Sequence, residues 1–140
     1  MNSIETFDGW AIGIERFWRS QGIGLQPGVP EAYILQTAND LGIAFPPAFV
    51  ALYKVINGFK GTDWTRGMFV IWPLERILDE YSTNKDSSLV CFCDFLIMSH
   101  CLGFRRDRAG IFNSMTPDLL ICPTYEEAIE LINLDSILVH

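Results

Sequence analysis

The side chains with the greatest chemical potential in this sequence are four cysteines and one internal histidine. Cys91 and Cys93 lie two residues apart in an apolar run, and His100 is followed directly by Cys101. On a strand, the sulfurs of a Cys-x-Cys pair share a face but are separated by roughly 6 Å or more, which is wide for one shared zinc ion. Neighbouring strand residues point to opposite faces, so His100 and Cys101 cannot ligate the same metal. We therefore expect no metal and no other cofactor, with Cys91, Cys93, Cys101 and Cys122 present as reduced thiols.

Thiol catalysis is the enzymatic alternative. A cysteine nucleophile requires a nearby histidine and a third group that orients the histidine. Only His100 and the terminal His140 are present, and there is no glycine-rich phosphate loop, paired-histidine helix motif or nucleophile elbow. A half-buried, hydrogen-bonded structural role is the more ordinary one for His100. We expect no catalytic residues, and keep a small enzyme based on Cys93 or Cys101 as an alternative.

A loop with glycine at both ends holds the best candidates for recognition of a partner. It spans residues 61–67 and contains Trp64 and Arg66, two residue types that often anchor protein interfaces. The terminal glycines allow such a loop to adapt to a partner. The alternative interpretation is that Trp64 folds back over the sheet as a lid on the core.

The charge balance indicates the kind of partner. Lys and Arg total 10 against 17 Asp and Glu, which gives a formal net charge of −7. Nucleic-acid binding needs clustered basic residues, and the three arginines at 105, 106 and 108 are too short a patch to outweigh the acidic total. Two pairs of adjacent acidic residues, Asp79–Glu80 and Glu126–Glu127, lie on predicted helices. Because neighbouring residues on a helix diverge by about 100°, we interpret these pairs as solvated carboxylates rather than acid–base couples. The carboxylates expected to attract a basic partner are Asp79, Glu80, Glu126, Glu127 and Glu130.

Hydrophobic periodicity predicts helices at both ends of the chain and strands in between. Helices are predicted at 4–18, 30–41, 47–56, 74–81 and 125–132. Strands are predicted at 68–72, 89–93, 96–105, 111–113 and 119–122, with a connector at 22–28 and loops at 59–67 and 82–88. This order favours an α+β fold in a single domain over residues 1–140, with a mixed or antiparallel sheet of about four to six strands and helices mainly on one side. Thr124 and Glu127 are spaced as a capping box for the last helix.

The distribution of apolar residues also bears on location. No apolar run approaches the roughly 20 residues that span a bilayer. The N-terminal residues lack the basic region that precedes the apolar stretch of a secretory signal. We expect a cytoplasmic protein that has no membrane partner.

The most distinctive local pattern is an elbow between two predicted helices. Gly42 is placed to end the first helix in the left-handed conformation, and the Pro46-Pro47 pair is placed to begin the second. Asn57-Gly58 is expected to end that second helix, again with residues that tolerate left-handed angles. The residues that define the pattern are Leu41, Gly42, Phe45, Pro46, Phe49, Tyr53, Asn57 and Gly58.

This pattern resembles the SUKH superfamily, the Smi/Knr-type domains, whose members share a Leu-Gly-hydrophobic-x-Leu-Pro elbow, an aromatic-bearing helix and an Asn-Gly exit. The following strand with Trp72-Pro73-Leu74, the short helix, the later strands and the last helix also fit that order. The resemblance runs from about residue 31 to the last helix. Phe45 departs from the pattern, because leucine is usual at that position.

The resemblance implies a function that the residues alone do not indicate. SUKH domains are typically bacterial immunity proteins that bind and neutralise a cognate toxin of a polymorphic or contact-dependent system, often a nuclease. Fungal relatives regulate cell-wall synthesis. The resemblance therefore implies a non-enzymatic binding protein with a toxin domain as its partner, and a regulatory scaffold as the alternative.

Overall fold

The computed structural model describes residues 3–61, 63–83 and 89–140, with side chains from residue 7 onward. Within these ranges the helices are α1 (Ser3–Ser20), α2 (Glu31–Leu41), α3 (Pro47–Val55), α4 (Leu74–Thr83) and α5 (Tyr125–Asn133). The strands are β1 (Leu25–Pro27), β2 (Ile56–Phe59), β3 (Phe69–Ile71), β4 (Leu89–Phe95), β5 (His100–Arg105), β6 (Ile111–Asn113) and β7 (Thr116–Cys122). A 3₁₀ turn (Ile137–Val139) follows α5. Among the described residues, no helix is both long and apolar enough to cross a membrane.

A five-stranded antiparallel sheet in the order β3-β4-β5-β6-β7 forms the centre of the fold, and β1 pairs separately with β2. Helices α3 and α5 pack on one face of the large sheet, α1 lies across α3, and α4 packs on β4 and α2. Phe49 of α3 contacts Phe104 of β5 and Tyr125 of α5, with ring centroids 5.9 and 5.1 Å apart. The predicted α+β class, with its antiparallel sheet, is confirmed.

The elbow between α2 and α3 forms as predicted. Gly42 follows α2 with φ 72° and ψ 29°, in the left-handed region that glycine enters without a Cβ penalty. Pro47 occupies the first position of α3, where a missing N–H leaves no bond unmade. Phe45 stacks on Phe49 at 4.0 Å between ring centroids, and Phe49 stacks on Tyr53 at 4.2 Å. The elbow thus sets the direction of α3 and supplies an aromatic column to the core.

Replacing Gly42 by valine should lower the free energy of unfolding by about 2 kcal/mol, because a β-branched residue must then adopt left-handed angles. The space itself is open, since a Cβ on Gly42 would lie 3.9 Å from the nearest atom, Arg106 Nε. Glu126→Ala should change stability by about 0.5 kcal/mol or less, as for an ordinary surface substitution. Chemical denaturation of both variants measures the difference, and equal midpoints would contradict the role given to Gly42.

The prediction that Asn57-Gly58 ends α3 is wrong, because α3 passes directly into β2 and both residues belong to that strand. Their role is long-range. The Asn57 side-chain oxygen accepts a hydrogen bond of 2.9 Å from the N–H of Leu74, the first residue of α4. Gly58 has φ 73° and lies against the backbone of Trp72 and Pro73. The pair therefore fixes the start of α4 rather than the end of α3.

The prediction of one strand over residues 96–105 is also wrong. Leu96, Ile97 and Met98 have φ values of 45°, 51° and 65°, so they form a left-handed turn before β5 begins. The Met98 N–H donates to the Asp94 carboxylate at 2.9 Å, and this buried carboxylate also accepts from Trp72 Nε1 at 2.5 Å. A polar anchor inside the fold thus stabilises a turn that the alternating sequence does not indicate.

The remaining differences concern boundaries. The predicted 22–28 connector contains β1, and Phe59 is buried in β2 rather than part of a polar loop. The strands β4 and β7 are longer than predicted, and β3 is shorter. The predicted loop at 82–88 begins inside α4, and its positions 84–88 lie outside the described residues.

Candidate protein-binding surface

A groove of about 450 Å³ crosses the outer side of α5, and its apolar lining comes from several separate elements. Besides its glutamates, the groove is lined by Trp10 of α1, Leu131 of α5, Leu138 of the 3₁₀ turn, Ile121 and Cys122 at the end of β7, and Pro123. The sequence did not indicate this groove. Helical spacing placed Trp10 on the apolar side of α1, but the groove exists only because α1, α5 and the C-terminal turn meet.

Three carboxylates stand at the rim of this groove, which we call the α5 groove. They project outward because α5 buries the opposite stripe, Tyr125, Ala128, Ile129 and Ile132, as predicted. The Glu130 carboxylate accepts a hydrogen bond from Trp10 Nε1 at 3.1 Å, which ties α5 to α1. Glu126 and Glu127 form no ion pair with any residue in the described ranges. Two of the three charges are therefore available to a partner.

The start of α5 fixes where these charges lie. The Thr124 hydroxyl accepts a hydrogen bond from the Glu127 N–H at 3.3 Å, which is the half of the predicted capping box that the structure contains. Burial, followed by the negative charge of Glu127, raises the pKa of the Cys122 thiol to about 11. The negative field of α5 thus reaches the end of β7.

The loop candidates Trp64 and Arg66 lie at the other end of α5. The Trp64 side chain is 41 % exposed, so the interpretation of Trp64 as a buried lid is wrong. Trp64 lies beside the end of α1 at Ser20, and Arg66 lines a crevice that also contains Asn133, the last residue of α5. Arg66 makes no hydrogen bond or ion pair within the part of the chain that the structure describes. Both side chains are free to contact a partner.

Helix α5 runs from the groove, which lies along its outer side, to Asn133, its last residue, beside Arg66. From Glu126 to Asn133 the helix rises about 10 Å, whereas an interface patch of about 800 Å² per partner is roughly 30 Å across. The hydrogen bond from Trp18 Nε1 to the Asn133 side chain, at 2.7 Å, ties the far ends of α1 and α5 together. Asp79 and Glu80 do not join this surface, because they lie on α4, which packs on α2 and β4.

A cleft of about 650 Å³ lies between the elbow and the turn that joins β5 to β6, and it contains three arginines. Each arginine is already engaged. Arg105 pairs with Asp107 at 2.7 Å and Asp118 at 2.9 Å. Arg106 donates to the Leu41 carbonyl at 2.5 Å, and Arg108 donates to the Asp118 carbonyl at 3.0 Å. These guanidinium groups fasten the turn to its neighbours.

The histidines have structural neighbours. His100 is buried, with its Nε2 2.8 Å from the Val139 carbonyl and its ring stacked on Phe95 at 5.0 Å. His100 is hydrogen-bonded as predicted, but it is buried rather than half-buried. His140 Nε2 lies 2.5 Å from the Asp135 carboxylate. Both rings therefore hold the C-terminal segment in place.

The cysteines have surroundings that the strand pattern did not predict. A register shift between Cys91 and Cys93 separates them, so the expectation that the two share one face is wrong. Cys93 is fully buried, and this burial raises the pKa of its thiol. Interaction between the Cys91 and Cys101 thiols lowers the pKa of Cys101 and raises that of Cys91. All four cysteines are free, and in the described ranges no three His, Cys, Asp or Glu residues converge as metal ligands.

A comparison with known families identifies the relationship. The sequence model of the SMI1/KNR4 family (SUKH-1) matches residues 28–127, which include the elbow, the central sheet and the first turn of α5. No curated protein matches the chain. The matched region contains Trp64, Arg66, Glu126 and Glu127, whereas Glu130, Leu131 and Leu138 of the α5 groove lie beyond it.

Proposed function

The chain belongs to the SMI1/KNR4 family (SUKH-1), and we propose that it is a non-enzymatic immunity protein that neutralises a cognate toxin domain by binding it. Proteins of this family act on other proteins, as toxin-immunity proteins or as Smi1/Knr4-type regulators. The proposal places this activity in the cytoplasm, where the toxin would otherwise act.

The observation that carries the proposal is the α5 groove, in which an apolar floor is bordered by free carboxylates. Aromatic and aliphatic side chains that a partner can cover supply affinity, and charges at the rim supply attraction at a distance. A toxin nuclease binds a polyanion, so its active cleft carries positive charge that Glu126 and Glu127 complement. Occupation of that cleft would exclude the nucleic acid without any catalysis by the immunity protein.

The second part of the proposed interface is the loop with Trp64 and Arg66. Tryptophan and arginine are both enriched among the few residues that contribute most of the binding energy of an interface. Asp79 and Glu80 contribute through the overall negative field, because they lie away from α5. The proposed interface therefore follows α5 from the groove to the loop.

Trp64→Ala should weaken partner binding about 30-fold while leaving the melting temperature unchanged within about 2 °C. Loss of a central anchor costs about 2 kcal/mol or more, which corresponds to this change in Kd. The fold should tolerate the change because Trp64 is exposed at the surface and its indole makes no hydrogen bond with the described residues. Leu35→Ala is the matched control, since Leu35 is 52 % exposed on α2, and it should leave Kd unchanged. A large drop in melting temperature for Trp64→Ala would contradict the assignment.

The function is tested with the product of the gene next to the one that encodes this chain. Coexpression should protect cells from that product, and the purified proteins should bind at both low and physiological salt. Absence of both protection and binding would favour the regulatory scaffold. Protection that persists in variants with neither Trp64 nor the α5 carboxylates would keep the immunity role and reject this surface.

A further inference from the structure

The outer edges of the central sheet, on β3 and on β7, differ in whether neighbouring residues cover their backbone groups. The outer edge of β3 is covered by the preceding loop, where the Thr65 N–H donates to the Phe69 carbonyl at 2.9 Å and the Phe69 N–H donates to the Thr65 hydroxyl at 3.1 Å. The outer edge of β7 has no such cover, since no described strand pairs with it beyond β6. Uncovered edges present N–H and C=O groups to any chain that approaches in an extended conformation.

The second half of β7 is apolar, uncharged and partly exposed, a composition that favours pairing with another strand. Leu119 is 65 % exposed and Leu120 47 % exposed, and residues 119–122 carry no charge. The first half is protected, because Pro117 lies there and the carbonyls of Pro117 and Asp118 accept hydrogen bonds from arginines. Two irregularities in the β6–β7 register also limit regular pairing on the side of β6. Pairing with another chain is therefore confined to about four residues next to α5.

This stretch ends at the α5 groove. Ile121 and Cys122 of β7 line the groove together with Trp10 and Leu131, so a strand laid beside β7 would run past the groove. Alternate side chains of an added strand point to the same face. On the groove side they would meet the apolar floor and the free carboxylates of Glu126 and Glu127.

We propose that β7 accepts an extended, basic segment of the partner as a sixth strand, with its lysine or arginine side chains facing the carboxylates of the α5 groove. This inference rests on the proposed function and specifies how the partner docks. Main-chain hydrogen bonds to the edge supply affinity, and the groove selects the side chains that alternate along the segment. A second copy of this chain is a poorer occupant, because each copy carries a net charge of −7.

The test uses the full chain and a synthetic probe, a blocked eight-residue peptide of alternating lysine and valine. Titration followed by NMR of the isotopically labelled protein should show saturable binding, with the amide shifts concentrated in Thr116–Cys122 and Tyr125–Asn133. Two further peptides carry N-methyl groups on alternate residues. In the first, the methyl groups lie along one edge of the extended peptide, and in the second they lie along the opposite edge. One of them should bind at least 10-fold more weakly, because its methyl groups face β7, and the other should bind as before. A glutamate–valine peptide should not bind.

Protein variants supply the matched comparison. Leu119→Lys should weaken binding of the lysine–valine peptide at least 10-fold, whereas Leu35→Lys, with the same change on an exposed leucine of α2, should not. Equal binding of the two N-methylated peptides, shifts centred elsewhere, or absence of binding would overturn the proposal. Concentration-dependent shifts of β7 without peptide would assign the edge to a second copy and overturn it as well. None of these measurements involves a toxin. Failure of the β7 docking proposal can therefore be distinguished from failure of the proposed immunity function, which is tested by protection of cells.

Discussion

Gly58→Ala should lower the free energy of unfolding by about 3–5 kcal/mol, a large effect for the addition of a single methyl group. Two costs combine. Gly58 has φ 73°, which an L-residue adopts at a cost of about 1 kcal/mol or more. A Cβ at this position would also lie 2.5 Å from the Trp72 carbonyl carbon and 2.8 Å from its oxygen, and closer still to the Pro73 nitrogen. These are backbone atoms that cannot rotate away, so β2 and the start of α4 must move apart.

Gly22→Ala separates the two costs. Gly22 has φ 78°, nearly the same as Gly58, but no described heavy atom lies within 4 Å of the position that the added methyl group would take. This variant should lose only about 1 kcal/mol. Urea denaturation of both variants and the parent protein gives the comparison. Similar losses for the two variants would mean that the close approach of Gly58 to Trp72 and Pro73 contributes nothing.

The elbow was predictable because its causes are local. A glycine in left-handed conformation at the end of a helix and a proline at the first position of the next act within a few residues of sequence. Asn57 and Gly58 show the limit of such reasoning. Both residues were correctly selected as part of a pattern, but their partners Trp72, Pro73 and Leu74 lie about 15 residues away, and spacing does not reveal a contact of that kind.

The prediction of a strand at Leu96–Met98, where the structure has a turn, was wrong for a related reason. Alternating apolar residues predict a strand, and three consecutive left-handed residues without glycine are intrinsically unfavourable. What overrides the pattern is a buried carboxylate, Asp94, which binds the Met98 N–H, the Trp72 indole and, at 3.4 Å, the Arg76 guanidinium. The sequence shows a single aspartate inside an apolar run, but not the three donors that the fold gathers around it.

The candidate surface was predictable in its charges and not in its shape. Helical periodicity alone directs Glu126, Glu127 and Glu130 outward, and it does so correctly. The apolar floor depends on Trp10 and Leu138, which are 128 residues apart in sequence and meet only after α1 and the C-terminal turn pack around α5. Exposure of Trp64 likewise depends on tertiary packing, so no sequence pattern distinguishes an exposed tryptophan from a buried one here.

The charges of α5 should control the rate at which the toxin binds. The double variant Glu126→Lys/Glu127→Lys should slow association with the product of the neighbouring gene about 100-fold at low ionic strength, because it replaces attraction by repulsion at the rim of the α5 groove. The dissociation rate should change much less. At physiological ionic strength charges are screened over about 8 Å, so the effect on association should shrink to about 10-fold.

The matched control is Asp79→Lys/Glu80→Lys, which makes the same change in net charge on α4. Because α4 packs on α2 and β4, away from the α5 groove, this variant should slow association only about 2–3-fold. The ion pair of Glu80 with Arg76, at 3.7 Å, is exposed enough that its loss should barely alter stability. Stopped-flow measurements at two salt concentrations compare the variants directly. If both double variants slow association equally, attraction depends on the total charge and α5 is not the docking face; if only the α5 variant is slow, the partner approaches along α5.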